Sequence, residues 1–172
     1  MKASYVRAMD ALHRACLVAC GVALAAIALI IPWGVFTRYV LNSAASWPEP
    51  LAVLLMIVLT FLSAAVCYRE YLHIGVAIVP DMLEGPAKVA LGWVIELSMA
   101  AINLFMLWWG LKLVETTWHQ VIGEFPIVGV GMSYLPIPIG GLITLLFVIE
   151  RLWTGALFKP PLEDPAATVG LE

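Results

Sequence analysis

Charged residues fall in clusters along this chain, and between the clusters run four long stretches with almost none. Residues 15–37, 50–68 and 125–149 carry no Asp, Glu, Lys or Arg, and residues 89–111 carry only Glu96. A bilayer core about 30 Å thick needs about 20 predominantly apolar residues of helix to cross it. The pattern therefore predicts four membrane spans, at about 12–41, 48–68, 88–119 and 134–154. A 3.6-residue period is no guide here, because a helix surrounded by lipid is apolar on every side. The fold class is an all-α membrane protein: one domain of four transmembrane helices over residues 1–158. The tail 159–172, with three prolines, reads as disordered.

Composition agrees with this. Of the 172 residues, 63% are hydrophobic and only 12% are charged, with a mean hydropathy of +0.98. A soluble domain is about 25% charged, so this chain could not solvate a globular surface. Four spans put Lys2, Arg7, Arg14, Arg69, Lys88, Arg151 and Lys159 on one side and Arg38 and Lys112 on the other. By the positive-inside rule both termini are cytoplasmic. The net charge of −3 does not bear on this, since acidic residues contribute little to the rule.

Residues 1–14 are not a cleaved signal peptide, because the apolar run after Arg14 is longer than a signal sequence's core. Arg7, Asp10 and Arg14 share one helical face and Val6, Met9 and Leu12 another, which predicts an amphipathic lead-in on the inner leaflet. Cys16, Cys20 and Cys67 fit neither a disulfide framework nor a zinc spacing and read as packing residues.

Pro32 predicts a kink near residues 28–32 of span one. Asn42-Ser43 turns the chain, and span two opens at Trp47-Pro48-Glu49-Pro50. Ser46-x-x-Glu49 has the form of a capping box. Trp47 is the better N-cap, because both prolines then occupy first-turn positions whose N–H groups would be orphaned anyway. Glu49 falls in the first turn, where the helix dipole favours an anion. Residues 69–88 are rich in Leu, Ile and Val and read as an interfacial segment between spans two and three, broken at Pro80 and Gly85-Pro86. The glycine-rich stretch 123–133 reads as a connection. Six of the seven tryptophans lie near span ends, as an aromatic belt would place them, and Trp33 fits the belt least well.

Glu96 is the one ionisable group inside a span, and an intramembrane carboxylate is a functional candidate. It lies within reach of headgroups or of Arg14, Arg69 or Lys88. Gly92, Met99, Asn103, Met106 and Gly110 share its face, a small and polar stripe suited to helix packing. Packing is the first reading of Glu96, with a subunit interface and an ion site as alternatives. His13 and His73 lie at one membrane surface and His119 at the other, so haem ligation is disfavoured and the histidines read as solvated or interfacial. A free-standing four-helix exporter would need a carboxylate in span one, which has none. No catalytic residue, metal site or cofactor is expected, no phosphate-binding loop is present, and no nucleic acid partner is implied.

Arg38-Tyr39-Val40-Leu41-Asn42, then Trp47-Pro48-Glu49, Phe61-Leu62-Ser63-Ala64-Ala65 and His73-Ile74-x-Val76, in this order, resemble the small membrane subunit of tripartite ATP-independent periplasmic (TRAP) transporters. Tyr134 and Pro136-Ile137-Pro138-Ile139-Gly140 are similar to that family's later motif. The resemblance covers roughly residues 15–155. Pro50 stands where the family commonly has a second acidic residue, and Ala77 where it often has Asp. The resemblance implies a bacterial inner-membrane importer of an organic acid, driven by sodium, in which a periplasmic solute-binding protein hands substrate to a large many-helix membrane subunit. It implies that this chain packs on that subunit and helps dock the receptor. Arg38, Tyr39, Asn42, Trp47, Glu49, His73 and Glu96 are then the structural and partner-binding candidates. The competing readings are a haem-bearing anchor of a redox complex and the free-standing exporter.

Overall fold

The computed structural model describes residues 2–43, 45–72, 85–123, 125–155 and 157. Helices α1 (Lys2–Tyr39), α2 (Pro48–Arg69) and α3 (Pro86–Thr117) are followed by a small hairpin, β1 (Val121–Ile122) and β2 (Phe125–Gly129). The chain then forms a single turn, α4 (Val130–Tyr134), and α5 (Pro136–Thr154). Four helical stretches are long and apolar enough to cross a membrane: α1, α2, α3 and Val130–Thr154. At 1.5 Å per residue α1 extends about 57 Å and α3 about 48 Å, both beyond a core of about 30 Å.

The bundle is built around α5, the most buried of the spans. It packs against α2 on one side and α3 on the other, and α1 packs chiefly on α2. Glycine sets two of these approaches. A Cβ on Gly140 would stand 2.9 Å from the Phe61 Cβ, and one on Gly110 would stand 3.0 Å from the Pro138 Cδ. Only bare backbone lets these helices come so close. An apolar cluster among the described residues lies toward one end and joins Met9 and Cys16, Ala65 and Val66, and Ile143, Phe147 and Val148. The outer faces of α1 and α3 remain exposed, from Leu17, Val22 and Leu29 to Leu97, Phe105 and Trp108.

Trp47 is the N-cap of α2, with Pro48 next; the Trp47 carbonyl accepts from Leu51 at 3.2 Å. No side-chain capping bond forms, so the Ser46 box is not used. Pro32 lies inside α1, and the helix continues through it.

Two expectations are corrected. Residues 2–14 are not a surface lead-in but the first turns of α1 itself. Met9 is buried, the Tyr5 hydroxyl donates to the Leu146 carbonyl at 3.0 Å, and Lys2 reaches the Trp153 carbonyl at 3.3 Å. The apolar face meets protein because α5 and α2 supply matching apolar and charged groups at this depth. The link from α3 to α4, read as a plain connection over 123–133, carries a β hairpin that begins at Val121, with Val121 opposite Gly129 and Ile122 opposite Phe125. Its β-branched and aromatic residues flank a turn at Gly123, which favours strand pairing. The interfacial reading of the 69–88 connection, apart from its ends at 69–72 and 85–88, and the disordered reading of 159–172 fall outside the described residues, as does His73.

Candidate functional site

Two polar clusters stand at opposite ends of the bundle. The first is the hairpin joining α1 to α2. α1 ends at Tyr39, and Asn42 turns the chain with φ 47°, a left-handed conformation that Asn tolerates better than most residues. The Ser43 N–H returns to the Thr37 carbonyl at 3.1 Å, and the buried Thr37 hydroxyl donates to Gly34 at 3.0 Å. Pro48 is buried against Gly34, where a Cβ would meet the proline ring at 3.1 Å. Across this joint Arg38 Nη2 donates to Glu49 Oε1 at 2.7 Å. Both side chains are exposed, 49% and 74%, so the pair contributes at most about 1 kcal/mol and acts on loop shape rather than stability. Tyr39, Asn42 and Trp47 are exposed beside it.

The second cluster gathers charges from all four spans. Glu96 of α3 is 1% exposed. One carboxylate oxygen accepts from Arg151 Nη1 at 3.0 Å and the other accepts from the Tyr68 hydroxyl. Arg151 also donates to the Tyr68 carbonyl. Its guanidinium carbon lies 4.1 Å from the Tyr68 ring centroid and 3.8 Å from that of Tyr71. Tyr71 reaches this position with φ 58°, a left-handed backbone that a tyrosine adopts only under constraint. Burial pushes its phenol above the ordinary range, against the opposing pull of Arg151.

One residue along each helix, a second set forms. Arg69 grips Glu150 with both ends of its fork, at 2.9 and 3.0 Å, and reaches Asp10 at 2.6 Å. Its guanidinium carbon lies 5.3 Å from the Phe147 ring centroid. Neighbouring residues on a helix point about 100° apart, so Tyr68 and Arg69, and likewise Glu150 and Arg151, serve different partners. Three carboxylates face two guanidinium groups, and the Tyr68 O–H supplies an additional donor. Nearby, His13 Nε2 stands 3.0 Å from Glu70 Oε1 but out of line for a hydrogen bond.

Of the candidates from sequence, Arg38, Tyr39, Asn42, Trp47 and Glu49 share the hairpin, whereas Glu96 belongs to the other cluster. Its partner is Arg151, not Arg14, Arg69 or Lys88 as expected; antiparallel packing of α3 on α5 sets the start of one helix beside the end of the other. His13, expected solvated or interfacial, has a side chain only 14% exposed, because α1 carries it against Phe147. Sequence reasoning missed Asp10, Tyr68, Glu150 and Arg151 as members of one site. The available signal was the adjacent pairs Tyr68-Arg69 and Glu150-Arg151, each closing a span.

The family model for the DctQ component of tripartite ATP-independent periplasmic transporters matches residues 27–157, which take in the hairpin, Glu96 and Arg151. The chain is also 24% identical over 135 residues to the sialic acid TRAP transporter small permease protein SiaQ of Vibrio cholerae serotype O1, covering 76% of this chain and 75% of that relative.

Proposed function

We propose that this chain, which belongs to the DctQ component family of tripartite ATP-independent periplasmic transporters and is a small permease subunit of the bacterial inner membrane, works as a non-catalytic scaffold. In this reading it packs against a large many-helix membrane subunit and helps dock a periplasmic solute-binding protein. The imported substrate is an organic acid, a dicarboxylate or sugar acid, and uptake is driven by sodium. SiaQ's name carries sialic acid, an acid sugar, which fits that class. Both termini face the cytoplasm, so the cluster around Glu96 is at the inner end and the Arg38–Glu49 hairpin at the outer end.

The observation that carries this reading is the hairpin itself. It is pinned by the Pro48–Gly34 contact and the Arg38–Glu49 pair, yet presents Tyr39, Trp47 and both charges outward. An exposed, amphipathic surface at the outer membrane face suits protein docking. At the inner end the buried charges are matched to one another, which suits a fixed scaffold.

The test is reconstitution of the chain with its large subunit and receptor in vesicles. Uptake of an organic acid should require all three proteins and an inward sodium gradient. Undiminished uptake with this chain left out would overturn the proposal, and so would uptake independent of the receptor.

A further inference from the structure

A groove of about 650 Å³ runs between α1 and α2, lined by Ala15, Ala19 and Ala23 on α1, closed by Leu55 and Val58 on α2, and capped at one end by Arg14. We propose that it seats one acyl chain of an anionic phospholipid whose phosphate meets Arg14.

Charge placement comes first. The groove's lining is alanine, valine and leucine except for Arg14. That arginine is exposed and donates only its Nε, to the Asp10 carbonyl at 3.3 Å. Among the described residues no carboxylate lies within 4.0 Å of it. Asp10, which shares its face, is held by Arg69 at 2.6 Å. Arg7, two turns toward the N-terminus on the same face, is exposed as well. The mouth of the groove thus holds Arg14 with no ion pair within 4.0 Å among the described residues, the Asp10 carboxylate of its face being turned to Arg69.

Length comes second. From Arg14 to Ala26, roughly twelve residues rise about 18 Å, close to the ~15 Å that is half of a bilayer core. The groove begins at a cation and ends one leaflet deep. Its floor of Ala15, Ala19 and Ala23 beside Val18, Val22, Leu55 and Val58 offers an apolar chain a smooth small-residue track. The leaflet is the inner one on the orientation proposed above, but lipid binding is read without transport, so either idea can fail without the other.

The experiment is native mass spectrometry of the full chain in mild detergent with equal amounts of dioleoyl phosphatidylglycerol and dioleoyl phosphatidylcholine. The wild type should retain the phosphatidylglycerol adduct about five-fold over the other, the preference one surface cation confers. Arg14→Gln should bring the two to parity and Arg14→Lys should keep the preference. Ala19→Phe, which fills the groove at an exposed position, should lower both adducts. No preference in the wild type, a preference that survives Arg14→Gln, or adducts unchanged by Ala19→Phe would each overturn the proposal. So would loss of the Arg14-dependent adduct once the large subunit is bound, which would assign the groove to a protein segment.

Discussion

Arg151 and Glu96 lie 55 residues apart in sequence and meet at 3.0 Å, the carboxylate almost wholly buried and the guanidinium stacked between Tyr68 and Tyr71. Such a pair joins α3 to α5 with a geometry that no apolar contact would fix so narrowly. Its net worth is small, because burying two charges costs about as much as their attraction returns. Its asymmetry is large: removing one partner leaves the other charge buried and unpaired.

Glu96→Leu and Arg151→Met should therefore each destabilise the subunit by about 3–5 kcal/mol, and the double variant should recover most of the loss. Thermal unfolding of the purified chain in detergent measures this. Glu96→Gln should fall between, since the amide still accepts from Tyr68 but no longer balances Arg151. If an assembled Glu96→Gln complex lost all sodium-driven uptake at unchanged stability, Glu96 would be an ion site instead of a packing residue.

Arg69 offers a sharper test of geometry. Its bidentate hold on Glu150 and its bond to Asp10 use the planar fork, which lysine lacks. Arg69→Lys keeps the charge yet should cost about 2 kcal/mol, the scale of one charged hydrogen bond. Asp10→Asn should cost less, because Asp10 is 45% exposed and water replaces part of what it gives up. No loss in Arg69→Lys beside a clear loss in Asp10→Asn would argue that net charge, not the fork, holds this corner.

The four spans and the α1–α2 hairpin are legible in the sequence because both depend on residues near one another along the chain. Spacing between charges marks the spans, and Arg38 and Glu49 sit 11 residues apart on either side of a single turn. The Glu96 cluster is not legible, because its members come from four helices and depend on which spans are neighbours. Glu96 stands out as a lone carboxylate in a span, but its choice of Arg151 over Arg69 follows from the packing of α3 on α5. The first turns of α1 escape sequence reading for the same reason. An amphipathic segment can face lipid or protein, and only the positions of Leu146, Trp153 and Arg69 decide between them.

Glycine positions separate close packing from open surface. A Cβ on Gly131 would stand 2.8 Å from the Trp118 Cα and 2.9 Å from the Val114 carbonyl oxygen, and backbone cannot swing aside. Gly131→Ala should destabilise the α3–α4 joint by about 1–3 kcal/mol through overpacking. Gly21, inside α1, faces open space: a methyl added there would meet nothing within 4 Å. There Gly→Ala should be neutral or stabilising by up to about 1 kcal/mol, because alanine is the better helix former. Unfolding midpoints of the two variants should shift in opposite directions or, for Gly21→Ala, not at all.

The α1–α2 hairpin provides the test closest to function. Arg38 reaches Glu49 at 2.7 Å across the Gly34–Pro48 contact. Because both side chains are largely exposed, neither single reversal should unfold the subunit. Each should instead loosen the loop that carries Tyr39 and Trp47. In reconstituted vesicles Arg38→Glu and Glu49→Arg should each weaken receptor-dependent uptake several-fold, within the ~1 kcal/mol, roughly five-fold, that such a pair contributes. Glu49→Arg carries an added cost, because it places a cation at the N-terminus of α2 where the dipole favours an anion. The double reversal restores the pair but keeps that cost, so recovery should be partial. Additive losses in the double variant would show that Arg38 and Glu49 act separately, each on its own partner in the receptor, the large subunit or the lipid.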